Sequence, residues 1–121
     1  MKKSLLLIFL TLTTNAHAQL APAKDYSDAE YCQAIFLAEG GEKTKYPYGI
    51  RSVTCETKKE CKEVCIRTVR NNRKRFAKNR KGFNDYISYL GSRYAPLQSD
   101  NDPQGLNRHW IRNVRYFLEK I

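Results

Sequence analysis

Apolar positions recur at helical spacing in four segments of this chain. The first, about residues 28 to 39, follows the capping box Ser27-Asp28-Ala29-Glu30, and the second follows a similar box at residues 57 to 60. The third covers about 83 to 94 and is interrupted or ended near Gly91. The fourth runs from Asn107, as its N-cap, to residue 121. The pattern predicts about four helices.

Residues 42 to 56 have no helical period. Tyr48, Ile50 and Val53 are the apolar positions there, beside the turn-forming residues Pro47 and Gly49. Such a segment favours turns and one or two short strands. The predicted fold class is therefore mainly α, of α+β type, with a small β-hairpin after the first helix.

The N-terminus has the pattern of a secretory signal peptide. Lys2 and Lys3 precede an apolar run at residues 5 to 12, and Ala16-His17-Ala18 is a small-x-small cleavage site. The run is too short for a stable transmembrane helix; an uncleaved anchor is the alternative. We expect a signal peptide at 1–18, a single domain at 19–121 without a transmembrane segment, and a periplasmic or secreted location.

The mature chain is basic. Without Lys2 and Lys3, 20 basic residues face 12 acidic ones, which gives a net charge of +8. In an exported protein this charge favours anionic wall polymers, lipid headgroups or extracellular nucleic acid. The basic run from 67 to 81 contains one aromatic residue, Phe76, in the apolar stripe. Nucleic-acid binding is therefore not expected, and the run is interpreted as a solvated helix face.

The mature chain contains four cysteines, an even number that favours disulfides in an exported small domain. Cys61 and Cys65 share a helix face, which is poor geometry for a bridge. Two pairings remain, and we prefer Cys32–Cys65 with Cys55–Cys61, because the latter closes a short loop onto a helix start. The cysteine spacings and a single mature histidine do not suit zinc. No metal and no cofactor are expected.

Glu39 is the leading candidate for chemistry. It stands where the first helix ends at Gly40-Gly41, near the negative end of the helix dipole. Burial of its apolar flank would also disfavour ionisation, and both effects raise a carboxyl pKa, as a general acid requires. The plain alternative is a solvated glutamate at a frayed helix end.

The segment Ala38-Glu39-Gly40-Gly41, followed by Tyr48-Gly49-Ile50, resembles the catalytic helix and hairpin entry of the lysozyme-like superfamily. That superfamily includes lytic transglycosylases and phage lysozymes. The resemblance implies cleavage of the β-1,4 bond between N-acetylmuramic acid and N-acetylglucosamine in peptidoglycan, with Glu39 as acid. In the transglycosylases the same carboxylate then acts as base while the sugar's 6-hydroxyl closes a 1,6-anhydro ring.

The acidic residues after Glu39 bear on the type of reaction. A conventional glycosidase uses two carboxyl groups, and phage lysozymes place an aspartate in the segment corresponding to 42–54, where this chain has none. We expect Glu42 to be solvated, whereas Glu56 stays open as a second acid. The pattern favours transglycosylase chemistry. Glu-Gly-Gly departs from the usual Glu-Ser signature, which leaves a non-catalytic glycan-binding or envelope-assembly module as the alternative.

Four aromatic residues are candidate sugar platforms, because aromatic faces stack on pyranose rings. They are Tyr46, Tyr48, Tyr94 and Trp110. Tyr48 is preferred because turn residues are exposed, whereas the helical phase of Trp110 favours the core. Asn107 is interpreted as a helix cap and then as a cleft residue. A third possibility, an exported cationic nuclease, would need a second acid–base group besides His109.

Overall fold

The computed structural model describes residues 24–51 and 54–121, and the predicted signal peptide lies outside them. The described residues form four α-helices: α1, Asp28–Ala38; α2, Lys58–Lys78; α3, Tyr86–Tyr94; and α4, Trp110–Leu118. Three short 3₁₀ helices span Gly41–Lys43, Pro47–Gly49 and Leu106–His109. The mainly α class and the number of α-helices agree with the sequence pattern. Within the described part of the chain, no helix is both long and apolar enough to cross a bilayer.

Side-chain caps fix the starts of the two longest helices. The Ser27 hydroxyl accepts from the Glu30 N–H at 3.1 Å, and the Glu30 carboxylate accepts from the Ser27 N–H at 3.0 Å. This is the predicted capping box. In α2 the Thr57 hydroxyl accepts from the Glu60 N–H at 3.1 Å, but the Glu60 carboxylate bonds the N–H of Glu56. The second capping box is therefore modified: the Glu60 carboxylate bonds the N–H of the residue before the N-cap instead of that of the N-cap itself.

Helix α1 is the central element of the core. It packs against α2, α4 and the Pro47–Gly49 turn. Ala34 and Ile35 are completely buried, as is Cys32. Because α1 has neighbours on several sides, its position in the core is fixed, and its partly exposed C-terminal end carries Glu39.

The prediction of a β-hairpin after α1 is wrong for the residues that the structure describes. Pro47–Gly49 forms a 3₁₀ turn in which Tyr48 (φ +60°) and Gly49 (φ +67°) are both left-handed. The N–H of Gly49 donates to the Tyr46 carbonyl at 2.9 Å. Two successive left-handed residues and a local hydrogen bond prevent the extended conformation that a strand requires. Val53, part of the predicted strand pattern, lies outside the described residues.

The prediction that Gly91 interrupts or ends the third helix is wrong, because Gly91 lies inside α3. An ideal Cβ built on Gly91 would lie 2.7 Å from Ile111 Cγ1 and 3.2 Å from Trp110 Cε3. The missing side chain therefore allows α3 to approach α4 closely. Glycine acts here through packing rather than through helix breaking.

The predicted N-cap role of Asn107 is also wrong. Asn107 lies inside the Leu106–His109 helix, and α4 continues from that helix without a side-chain cap. The Asp102 carboxylate instead accepts from the N–H groups of Leu106 and Asn107, both at 2.8 Å. The Asn107 side chain donates to the carbonyl of Pro96 at 2.9 Å. An acidic side chain five residues before Asn107 thus satisfies N–H groups at the start of the 3₁₀ helix, one turn before the donors that an Asn107 cap would have bonded.

The four cysteines fall into two pairs. Cys55 and Cys61 form a disulfide with an S–S distance of 2.02 Å, as preferred from the sequence. Cys32 and Cys65 are buried thiols, so the second predicted disulfide is not formed in this structure. A hydrogen bond with Cys65, together with burial, raises the pKa of the Cys32 thiol. The two sulfurs therefore meet at the contact between α1 and α2 without a covalent bond.

Candidate active site

Glu39 is the C-cap residue of α1. Its N–H donates to the Ile35 carbonyl at 2.9 Å, which completes the last helical turn. Gly40 (φ +107°) and Gly41 (φ +60°) then adopt left-handed conformations that turn the chain away. Because the chain turns away at the two glycines, the Glu39 side chain lies between the end of α1 and the turn that follows it.

Trp110, the first residue of α4, holds the Glu39 carboxyl group. Its indole Nε1–H donates to Glu39 Oε1 at 2.9 Å across 71 residues of sequence. The Trp110 side chain is only 5 % exposed. The ring therefore belongs to the core, as its helical phase indicated, and is not an exposed sugar platform. Its polar edge fixes one carboxyl oxygen and leaves Oε2 without a partner among the described residues.

Gly49 forms the surface under the same carboxyl group. An ideal Cβ on Gly49 would lie 2.7 Å from Glu39 Cδ and 2.9 Å from each carboxyl oxygen. Those distances are far below an ordinary contact, so the Glu39 carboxyl packs directly on the glycine backbone. The left-handed φ of +67° is a second reason for glycine at this position.

Tyr94 connects the Pro47–Gly49 turn with Trp110. Its hydroxyl donates to the Tyr48 carbonyl, and its ring stacks on Trp110 with centroids 5.4 Å apart and an interplanar angle of 27°. Tyr48 itself is 2 % exposed and packs on Phe36 at 5.1 Å. The prediction that Tyr48 is an exposed turn residue is therefore wrong. Tyr48 and Tyr94 support the site rather than face it.

Burial sets the electrostatics of Glu39. Desolvation raises the pKa of the half-buried carboxyl, while the Trp110 hydrogen bond and the positive charge of Arg51 act in the opposite direction. The direction agrees with the sequence prediction, which had named the helix dipole and an apolar flank as causes. A raised pKa keeps the proton on Glu39 to higher pH, as a general acid requires.

A cleft of about 270 Å³ opens beside Glu39. Its walls come from the end of α1, from the Leu106–His109 helix and from α4. The lining residues are Ala38, Glu39, Leu106, Asn107, His109, Trp110 and Asn113. Of the residues predicted from the sequence, the cleft brings together Glu39, Asn107 and Trp110. Two amides and one imidazole give it hydrogen-bonding groups suited to a hydroxyl-rich ligand.

Tyr46 lies outside this cleft. It is 37 % exposed, and both of its flanking cations approach the ring, Arg51 at 4.8 Å and Lys45 at 5.6 Å from the centroid. These contacts compete with a sugar for the same aromatic face. Tyr46 remains the exposed aromatic candidate, but the structure does not place it with Glu39.

Among the described residues, Glu39 is the single carboxylate that lines the cleft. Glu42 is exposed to solvent, as expected, and forms a surface ion pair with Lys58. Glu56 is exposed and is not part of the cleft wall. Within residues 24–51 and 54–121, no group of three or more His, Cys, Asp and Glu side chains is arranged to hold a metal ion.

A larger cavity of about 650 Å³ lies between the N-terminal segment, α2, α3 and α4. It contains none of the predicted site residues. Arg73 is part of its wall. The Arg73 guanidinium donates hydrogen bonds to Asp25 at 2.9 Å, to Asp28 at 3.1 Å and to the Tyr26 carbonyl at 2.7 Å. Because these bonds tie the N-terminal segment to α2, we interpret that region as a structural clamp.

Two cleft residues, His109 and Asn113, are not among the site residues predicted from the sequence. Asn113 follows Trp110 by three positions and therefore lies near it on the same side of α4, a signal that helical periodicity could have supplied. From the sequence, His109 enters only the arguments on zinc and on a nuclease. Its place in the cleft depends on the continuous Leu106–His109 and α4 helices, which no local motif predicted.

Comparison with protein-family models, with curated proteins and with solved structures found no match to this chain. The candidate site therefore rests on the geometry of the chain itself.

Proposed function

We propose that this protein cleaves the β-1,4 bond between N-acetylmuramic acid and N-acetylglucosamine in peptidoglycan, as a lytic transglycosylase. One observation carries the proposal: Glu39, partly desolvated, is the one carboxyl group that the described residues place in a cleft otherwise lined by amide, imidazole and apolar groups. A hydrolase of the usual type would need a second carboxyl across the scissile bond. The likeness of the Glu39 and Tyr48-Gly49-Ile50 segments to lysozyme-like enzymes supports the same reaction.

In this mechanism protonated Glu39 first acts as the general acid. It transfers its proton to the glycosidic oxygen as the bond from that oxygen to C1 of N-acetylmuramic acid breaks. The Trp110 N–H stabilises the resulting carboxylate through Oε1, because hydrogen bonds to a charged acceptor are strong. The carboxylate then takes the proton of the sugar's 6-hydroxyl, whose oxygen bonds to C1 and closes the 1,6-anhydro ring. Glu39 ends protonated, ready for another cycle.

The test is mass spectrometry of purified peptidoglycan after incubation with the mature protein. We expect 1,6-anhydro products from the wild type and none from Glu39→Gln. Glu42→Gln is the matched control, because Glu42 is a nearby acid outside the cleft, and it should cleave like the wild type. Glu39-dependent products with reducing ends would instead mean hydrolysis and would contradict the single-carboxylate mechanism.

The second candidate is a non-catalytic module that binds wall glycan or an envelope assembly. The observation in its favour is the small cleft, together with the burial of Tyr48 and Trp110, which leaves few aromatic faces for a long glycan. Binding without cleavage would decide for this candidate. It would appear as wild-type protein that sediments with peptidoglycan and releases no fragments.

A further inference from the structure

A groove of about 530 Å³ runs along the outer side of α4 and the 3₁₀ helix before it. Three arginines, Arg108, Arg112 and Arg115, contribute to its walls, together with the half-exposed ring of Tyr116 and one acid, Glu119. Lys120 adds a further cation, 4.6 Å from the centre of the Tyr116 ring. The groove is therefore electropositive and has one aromatic face. We call it the arginine groove.

The cations of the arginine groove are not all neutralised within the protein. Arg115 pairs with Asp85 at 2.8 Å. Arg112 is exposed and makes neither an ion pair nor a side-chain hydrogen bond within the described part of the chain. Glu119 likewise forms no ion pair with a described residue. The Arg112 guanidinium thus has no partner among the residues that the structure describes, and its planar fork fits a carboxylate in bidentate fashion.

The arginine groove and the Glu39 cleft are neighbours. Arg108, in the groove, donates from Nε to Nε2 of His109, in the cleft, at 3.1 Å. Asn113 of the cleft directly follows Arg112 of the groove in α4. A sugar held at Glu39 with a substituent directed toward α4 would therefore bring that substituent close to these arginines.

We propose that the arginine groove binds the carboxylates of the short peptides attached to N-acetylmuramic acid. The inference rests on the proposed function and names the form of its substrate: glycan that still carries its peptides. Arg108 and Arg115 are seven residues apart, which is roughly 10 Å along a helix at about 1.5 Å per residue. An extended peptide covers that length with about three residues.

A long polyanionic wall polymer is a less suitable occupant for this groove. Helix α2 is 21 residues long and carries exposed basic residues along most of its length. An extended polymer would gain more contacts there, whereas the arginine groove is short and adjoins the cleft. The proposal therefore predicts a local effect of Arg112 that Arg67, an exposed arginine on α2, does not share.

The experiment compares intact peptidoglycan with glycan strands from which an amidase has removed the peptides. Cleavage and binding are measured for the wild type, Arg112→Gln, Arg112→Lys and the double variant Arg108→Gln/Arg112→Gln. Binding to intact peptidoglycan is followed by sedimentation, and binding to the peptide-free strands, which no longer carry cross-links, is followed in solution by titration calorimetry. Arg67→Gln is the matched control, since it removes the same charge from another face. We expect the double variant to lose roughly three- to tenfold in binding and cleavage of intact peptidoglycan, because exposed charge pairs contribute modestly. Arg112→Lys should recover part of the loss.

On peptide-free glycan, the wild type and the Arg112 variants should perform alike. Equal losses on both substrates, or a loss as large in Arg67→Gln, would overturn the proposal and point to general attraction toward a polyanion. No loss in any variant would overturn it as well. If no protein cleaves either substrate, the proposed function fails, but the binding measured with the two substrates still decides whether the groove recognises peptides.

Discussion

Replacing Gly49 by alanine would place a methyl group against the Glu39 carboxyl. The new Cβ would start 2.7 Å from Glu39 Cδ, whereas relaxed carbon contacts lie at about 3.5–4.0 Å. The two groups must therefore separate by roughly 1 Å. Trp110 resists this displacement, because its indole N–H holds Glu39 Oε1.

Two costs add in Gly49→Ala. A left-handed conformation costs an L-residue about 1–2 kcal/mol, and overpacking typically costs about 1–3 kcal/mol. The free energy of unfolding should therefore fall by about 2–5 kcal/mol. If Glu39 acts as proposed, moving its carboxyl by about 1 Å should also slow glycan cleavage on the order of 100-fold.

Gly82→Ala separates these two costs. Gly82 is also left-handed (φ +82°), but an added Cβ there meets no atom within 4 Å. Its expected loss is about 1–2 kcal/mol, from backbone strain alone. Urea unfolding of both variants measures the difference. In a Glu39→Ala background, Gly49→Ala should cost no more than Gly82→Ala, because the clash has been removed.

The reasoning would be refuted by equal losses of stability in Gly49→Ala and Gly82→Ala. It would also be refuted if the cost of Gly49→Ala were the same with and without the Glu39 side chain. Either result would mean that the carboxyl does not rest on the Gly49 backbone.

Three further predictions concern the stability of the fold and the state of its cysteines. Burial raises the folded-state pKa of Glu39 above its ordinary value of 4.5, so its contribution to stability is complete below that value and is lost as pH rises through the folded pKa. Glu39→Gln should therefore be more stable than the wild type at pH 7 and similar to it at pH 4 in urea unfolding; lower stability at pH 7 would contradict this. Reduction of the Cys55–Cys61 disulfide should lower the free energy of unfolding by about 2 kcal/mol, from the closure entropy of a short loop. An unchanged melting temperature after verified reduction would be evidence against this. Under non-reducing denaturing conditions we expect two reactive thiols per chain, and a count of zero would indicate the second bridge.

Local signals made the helices predictable from the sequence. The Ser27 and Thr57 caps lie within one helical turn of the groups they bond, so the sequence alone places both helix starts. Glu39 could be recognised for the same reason, since an apolar periodicity that ends at two glycines marks a helix C-terminus. The Cys55–Cys61 bridge joins residues only six positions apart.

The surroundings of Glu39 were decided by tertiary structure. The Trp110 hydrogen bond spans 71 residues, and the Tyr94 contact with Tyr48 spans 46. No periodicity encodes which polar edge of a buried ring meets which carboxyl group. The predicted hairpin failed because residues 47–49 bond locally and pack under α1. The sequence determines where the helices and their acidic end lie, whereas packing decides which side chains surround that acid, because those contacts form only when distant segments share one core.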